Sequence, residues 1–162
     1  MSDLHYSDKE IRHILDTVKT IAVVGASANW KRPSYFAMKY LQGKGYRIIP
    51  VNPGQAGNEI LGEMCYASLA DIPDKIDMVD IFRNSADAFG VTEQALKTDA
   101  KVVWMQLAVR NDEAARMAED AGLQVIMDRC PKIEYSRLFG ELGWSGINTG
   151  VISSKRRKAG RT

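Results

Sequence analysis

The most chemically suggestive feature of this 162-residue chain is a run of small residues between an apolar segment and a helix start, followed by two cations. Thr20-Ile21-Ala22-Val23-Val24 leads into Gly25-Ala26-Ser27-Ala28-Asn29, and Lys31-Arg32-Pro33-Ser34 comes next. Backbone N–H groups in such a turn approach an anion closely because no bulky side chain intervenes, and a helix N-terminus adds a favourable dipole. Phosphate binding is the chemistry this pattern suits. Close packing of helix on strand asks for the same small residues, and Gly-Ala-Ser is less specific than a full GxGxxG, which the chain lacks. Lys31 and Arg32 favour the anion reading. Unpaired cations just before a helix oppose its dipole, and a phosphate from outside resolves the conflict. Asn29 and Ser34 bring amide and hydroxyl donors to the same place.

Other reactive residue types are sparse. Cys65 and Cys130 are far apart, with no CxxC or Cys/His cluster, so neither a disulfide framework nor a zinc site is expected. Cys130 follows Asp128-Arg129 at a strand end and opens a helix, surroundings in which thiols react. A small residue packed at a helix start explains it with greater weight, and a mixed disulfide with a thiol ligand is the reactive alternative. His5 and His13 are the two histidines; both lie in the N-terminal segment, where His13 reads as a surface residue of a helix. No convincing catalytic acid or base stands out, so binding without turnover is the expectation.

These residues need a scaffold, and the chain's rhythm supplies one. Ile11, Ile14, Leu15 and Val18 recur at helical spacing between Ser7 and Lys19, with Ser7 as N-cap and Glu10 in the capping-box position. A buried strand is expected over Thr20–Gly25, a helix over Pro33–Gly43, and a strand over Tyr46–Val51 broken by Asn52-Pro53-Gly54. A short extended piece near Glu59–Gly62 and a helical turn at Ser68–Asp71 precede a third strand, Met78–Phe82. Helix Ser85–Lys97, strand Val102–Gln106, helix Asp112–Ala121 and strand Gln124–Met127 repeat the alternation. Cys130 to about Gly140 reads as helix, and Val151-Ile152 as an added edge strand. Strands alternating with helices imply an α/β fold: a Rossmann-like, doubly wound, mostly parallel sheet of about five strands with helices on both faces. The expected order of the main strands is 3-2-1-4-5. Ligands then sit outside the carboxyl ends of the strands, at Gly25–Arg32, Asn52-Pro53, Arg83-Asn84, Gln106–Arg110 and Asp128–Cys130.

Composition bounds the partners. With 45% hydrophobic and 26% charged residues and a net charge of +2, residues 1–162 read as one globular domain with no nucleic-acid partner implied. Residues 1–19 form its N-terminal helical segment, and the basic tail 153–162, with Lys155-Arg156-Arg157-Lys158 and Arg161, is expected to be solvated and frayed. No apolar stretch is long enough to span a bilayer, and Met1–His5 lacks the features of a secretion signal, so a cytoplasmic location and no membrane partner are expected.

The second strand bears on which nucleotide would bind. NAD-binding proteins usually place a carboxylate there for the ribose hydroxyls, whereas Val51-Asn52-Pro53-Gly54 offers none. A ribose carrying a phosphate suits Lys31, Arg32 or Arg83 better, which leaves coenzyme A and NADP. Taken together, Val23-Val24-Gly25-Ala26-Ser27, Lys31-Arg32-Pro33-Ser34-Tyr35, Ile49-Pro50-Val51-Asn52-Pro53, Val79-Asp80-Ile81-Phe82-Arg83 and Asp128-Arg129-Cys130-Pro131-Lys132 resemble the small stand-alone CoA-binding proteins. Gly143-Trp144 and Asn148-Thr149-Gly150-Val151 extend the likeness over most of the chain. That family is similar to the CoA-binding domain of the succinyl-CoA synthetase α subunit, which implies a Rossmann fold and bound coenzyme A.

Carried over by position, the resemblance gives Gly25, Ala26 and Ser27 the pyrophosphate through their backbone. Lys31, Arg32 and Ser34 meet phosphate groups beside Asn29 and Pro33, and Asn52 and Pro53 border the adenosine. Ile81, Phe82 and Arg83 line the far wall, with Met105 and Gln106 nearer the pantetheine arm. The phosphorylated histidine and nucleotide-grasp domains of the synthetases have no room here, so a carrier or sensor of CoA or acyl-CoA leads. The alternatives are an NADP-dependent oxidoreductase and the CoA-binding subunit of a two-chain acyl-CoA synthetase.

Overall fold

Ser7 opens the first helix as its spacing predicts: its hydroxyl accepts the Glu10 N–H at 3.0 Å, and α1 runs Asp8–Thr17 with Ile11, Ile14 and Leu15 buried. The computed structural model describes residues 4–139. The expected edge strand at Val151-Ile152, the basic tail and the motifs from Gly143 to Val151 lie outside the described residues. The strand β1 (Thr20–Val24) leads to α2 (Pro33–Gly43) and β2 (Arg47–Val51). A small antiparallel hairpin, β3 (Glu59–Ile60) and β4 (Glu63–Met64), stands where one extended piece was expected. Then come β5 (Met78–Ile81), α3 (Ser85–Ala95), β6 (Val102–Met105), α4 (Asp112–Asp120), β7 (Gln124–Ile126) and α5 (Pro131–Phe139).

Five strands pair in parallel in the order β2-β1-β5-β6-β7, with Val23 opposite Asp80, Asp80 opposite Trp104 and Trp104 opposite Ile126. The α/β Rossmann-like class is as expected, but the order is not. The sequence pattern predicts the third main strand outside the second, whereas β5 pairs with β1. The physical reason is visible at β2, whose outer edge is already used. Tyr66 N–H donates to Pro50 O at 3.0 Å, and Tyr66 O accepts from Asn52 N–H at 2.9 Å. With that edge covered, β5 takes the free side of β1. The point where connections diverge to opposite faces therefore lies between β1 and β5, and a crevice opens at their carboxyl ends.

Each strand buries both faces, so its side chains divide by alternation. Val23, Met78 and Trp104 join Ile14, Met38 and Leu41 on the face covered by α1, α2 and α5. Val79, Ile81, Val103 and Met105 join Ala88, Ala114 and Ala118 beneath α3 and α4. Trp104 is fully buried, and its indole N–H donates to Arg129 O at 2.8 Å, tying β6 to the residue before Cys130. Among the described residues, no helix is long and apolar enough to cross a membrane.

Candidate functional site

Gly25 turns the chain out of β1 with φ +93°, a conformation that costs an L side chain energy. A Cβ there would also run into the Phe82 carbonyl, whose carbon would lie 2.8 Å away. The glycine is thus required by the close approach of the β1 and β5 ends. Its own N–H donates to Val51 O at 3.0 Å, and that of Ala26 to the same oxygen at 3.3 Å. This differs from the expectation that the Gly25 and Ala26 amides hold a pyrophosphate, because β2 already takes both donors. The next amides, of Ser27 and Ala28, meet no acceptor among the described residues. Local signals in the sequence hold no cue to this shift, since it arises from the Val51 carbonyl at the end of the neighbouring strand.

Beyond them the turn is folded on its own side chains. Ser27 Oγ accepts the Asn29 N–H and Asn29 Oδ1 accepts the Lys31 N–H, each at 3.0 Å. Asn29 is therefore a former of the loop. Asn52 holds the turn from the neighbouring strand: its Nδ2 donates to Ala26 O at 2.8 Å while Oδ1 accepts the Gly54 N–H at 2.9 Å. With its side chain engaged at both ends, Asn52 positions the loop, and exposed Pro53 stands beside it.

The start of α2 differs from other helix starts. Side chains of Ser7, Asn84 and Asn111 cap α1, α3 and α4, each with an acidic residue in the first turn. In α2 the N-cap position is Arg32, with no side-chain cap bond and no acidic residue in the first turn. Lys31 lies against the Trp30 ring at 5.5 Å, and neither Lys31 nor Arg32 is ion-paired among the described residues. Pro33 begins the helix, and Ser34, buried at the second position, has a hydroxyl without a described partner. Two cations unpaired among the described residues at this helix N-terminus, with the Ser27 and Ala28 amides in the turn that precedes it, form an electropositive corner.

The opposite wall is only partly as expected. Phe82 is half-buried at the β5 end, and Gln106 follows β6. Ile81 and Met105, by contrast, are fully buried under α3 and α4, so the structure does not bring their side chains to the crevice. The cause is alternation: successive residues face opposite sides, and both belong to the scaffold side. Arg83, two residues ahead of α3, reaches Asp87 in the first turn of that helix at 2.8 Å, an exposed i,i+4 pair, and so is partly neutralised.

Among the described residues, two buried polar groups on the α2 and α5 side lack partners. Asp80 is fully buried with both carboxylate oxygens unbonded, and burial pushes its pKa well up. Gln106 is 9% exposed, and its Oε1 also has no partner. The family motif contained Asp80, yet nothing in an apolar strand reveals that its side chain would be orphaned.

The ends of β6 and β7 are locked together. Ala108 and Asp128 adopt φ +71° and +57°, and Asp128 Oδ1 accepts the Ala108 N–H at 2.7 Å. Such strain clusters at ligand sites. Arg129 turns away from Cys130: its guanidinium donates to Leu4 O and Asp128 O and stacks over Tyr6. The arginine expected to influence the thiol is therefore committed elsewhere.

This geometry has counterparts. The uncharacterized protein YneT of Bacillus subtilis is 44% identical over 130 residues, covering 80% of this chain and 95% of that protein. The solved structure of a hypothetical protein from Pyrococcus horikoshii OT3 superposes with a TM-score of 0.80 at 43% identity, over 86% of this chain and 100% of the other. A shorter match, 40% identical over 65 residues, links 39% of this chain to 9% of an ADP-forming acetate–CoA ligase of Archaeoglobus fulgidus. A family model described as CoA binding domain matches residues 19–136, a span that begins before β1 and ends within α5. Since that span contains every strand of the parallel sheet and the whole crevice, the chain belongs to the CoA binding domain family.

Proposed function

We propose that this protein binds coenzyme A or an acyl-CoA in the β1–β5 crevice and acts as a carrier or sensor, without turnover of its own. The observation that carries the reading is the start of α2: among the described residues Lys31 and Arg32 have no carboxylate partner, and the amides of Ser27 and Ala28 in the preceding turn meet no acceptor. Those amides and Ser34 would receive the diphosphate, and the two cations the remaining phosphate charge. Asn52 supports coenzyme A over NAD, because its engaged amide replaces the carboxylate that a ribose diol would require. Coenzyme A, when bound, supplies a thiol on a flexible arm, and Gln106 lies on the side to which that arm would extend.

Titration calorimetry with coenzyme A, dephospho-coenzyme A, NADP and NAD tests this. Coenzyme A should bind best, and loss of the ribose phosphate should cost about 1.5–3 kcal/mol, as for a charge-assisted hydrogen bond. A preference for NADP would replace the reading with the oxidoreductase alternative. The partial likeness to acetate–CoA ligases favours a second reading, the CoA-binding subunit of a two-chain synthetase. Copurification followed by sizing would reveal such a partner.

A further inference from the structure

Two cysteines share this chain but not their surroundings. Cys65 is buried, its thiol donates to Asn52 O and Tyr66 O at 3.6 and 3.7 Å, and burial pushes its pKa up. Cys130 is only half-buried and stands immediately before α5. Its place is set from two directions. Trp104 Nε1 holds Arg129 O at 2.8 Å, and Arg129 N–H reaches Met105 O at 3.4 Å, so the residue before Cys130 is fastened beside the end of β6. From the other direction, Lys132 Nζ lies 6.0 Å from the Phe36 ring and 5.6 Å from the Tyr40 ring, which draws the start of α5 against α2. Cys130 thus borders the same crevice as the electropositive corner.

Gln106 supplies an independent sign of a ligand between the two. It lies two residues beyond Trp104, on the same side of the sheet by alternation, and therefore toward α2 and α5. Its Oε1 is buried with no donor among the described residues. An arm carrying amide N–H groups would provide one, and leaving it unmet is costly. Reach is also sufficient. From β1 to β7 is three strand spacings, about 14 Å. A pantetheine arm has the length of a peptide of about four residues, about 14 Å when extended.

We propose that Cys130 exchanges with the disulfide form of the cofactor and holds it as a mixed disulfide, with Gln106 aligning the arm. This rests on the CoA-binding reading and adds a covalent step. The Cys130 thiolate attacks one sulfur of the symmetric cofactor disulfide, the bond from Sγ to that sulfur forms, and the original S–S bond breaks. One cofactor molecule leaves as thiolate and takes up the proton that Cys130 released. One disulfide is consumed and one is formed, so no further oxidant enters. The site then reads the redox state of the thiol cofactor as well as its presence.

Intact mass spectrometry of the full chain, with peptide mapping, tests the proposal. The protein is incubated with coenzyme A disulfide or, separately, with oxidised glutathione. A single cofactor adduct on Cys130 is expected, reversed by dithiothreitol, retained in Cys65→Ser and lost in Cys130→Ser. Gln106→Leu should slow its formation about tenfold, the equivalent of one hydrogen bond, and leave the rate with glutathione unchanged. Equal rates for the two disulfides, or mapping to Cys65, overturn the inference even if the serine variants fold poorly, because mapping uses the parent chain. Desulfo-coenzyme A, which has no thiol, separates the two levels. If it binds while no adduct forms, only the exchange is wrong; if it does not bind, the CoA-binding reading fails.

Discussion

Beneath α3 and α4, the helices approach the sheet on alanine: Ala88, Ala95, Ala114 and Ala118 are fully buried, and the buried Thr92 hydroxyl donates to Ala88 O at 2.7 Å. Across the same sheet, α1, α2 and α5 pack through Ile11, Leu15, Met38, Leu41 and the Trp104 ring. Asp80 and Gln106 lie on that side and keep buried oxygens without partners among the described residues. The contrast teaches where a binding function was accommodated. One side closes its hydrogen bonds and serves as scaffold. The other retains unmet polarity and uncompensated charge, features that lower the stability of the free protein and that a ligand can satisfy.

The largest expected effect strikes where the binding side is tightest. Gly25→Ala should destabilise the protein by about 2–5 kcal/mol, from a left-handed backbone conformation and overlap with the Phe82 carbonyl, as urea unfolding would measure. Coenzyme A binding should fall with it. A stable Gly25→Ala protein with parental affinity would remove the steric account of the crevice.

Charge is the next target. Arg32→Ala should weaken coenzyme A about ten- to a hundredfold by calorimetry while leaving the unfolding midpoint nearly unchanged, since the exposed side chain has no partner within the described chain. Unchanged affinity would make the residue a solvated cation only.

Asp80 gives the comparison a pH axis. Its folded-state pKa is raised above the unfolded value, so the folded protein retains the proton over a range where the unfolded chain has released it. The associated stability is fully present below about pH 4 and declines as pH rises toward the folded-state pKa, by at most about 1.4 kcal/mol per pH unit. Asp80→Asn, which does not titrate, should lack this decline. Parallel stability profiles for parent and variant between pH 4 and 8, set by the linkage slope, would contradict it.

The smallest change belongs to the scaffold side. Gly90 lies within α3, and a Cβ there would meet nothing within 4 Å. Gly90→Ala should therefore stabilise by about 0.5–1 kcal/mol without altering coenzyme A affinity. An affinity change would couple the two sides of the sheet.

Much of this architecture was legible in local pattern. Ser7 and Glu10 mark one helix start, Pro33 and Gly43 bound another, and apolar runs bounded by turn residues locate the strands, because caps, φ restrictions and side-chain periodicity act over a few residues. The small-residue turn, its cations and the motif order that pointed to the CoA-binding family were legible for the same reason. The strand order was not: it depended on Tyr66 occupying the outer edge of β2. Nor was the division between Phe82 and Gln106 at the crevice and Ile81 and Met105 in the core, because strands buried on both faces show no alternation in polarity. Val51 O taking the Gly25 and Ala26 amides, and Asp80 buried with no partner among the described residues, arise from atoms brought together across the sheet. Hydrogen bonds and burial between distant segments are decided only when the strands meet.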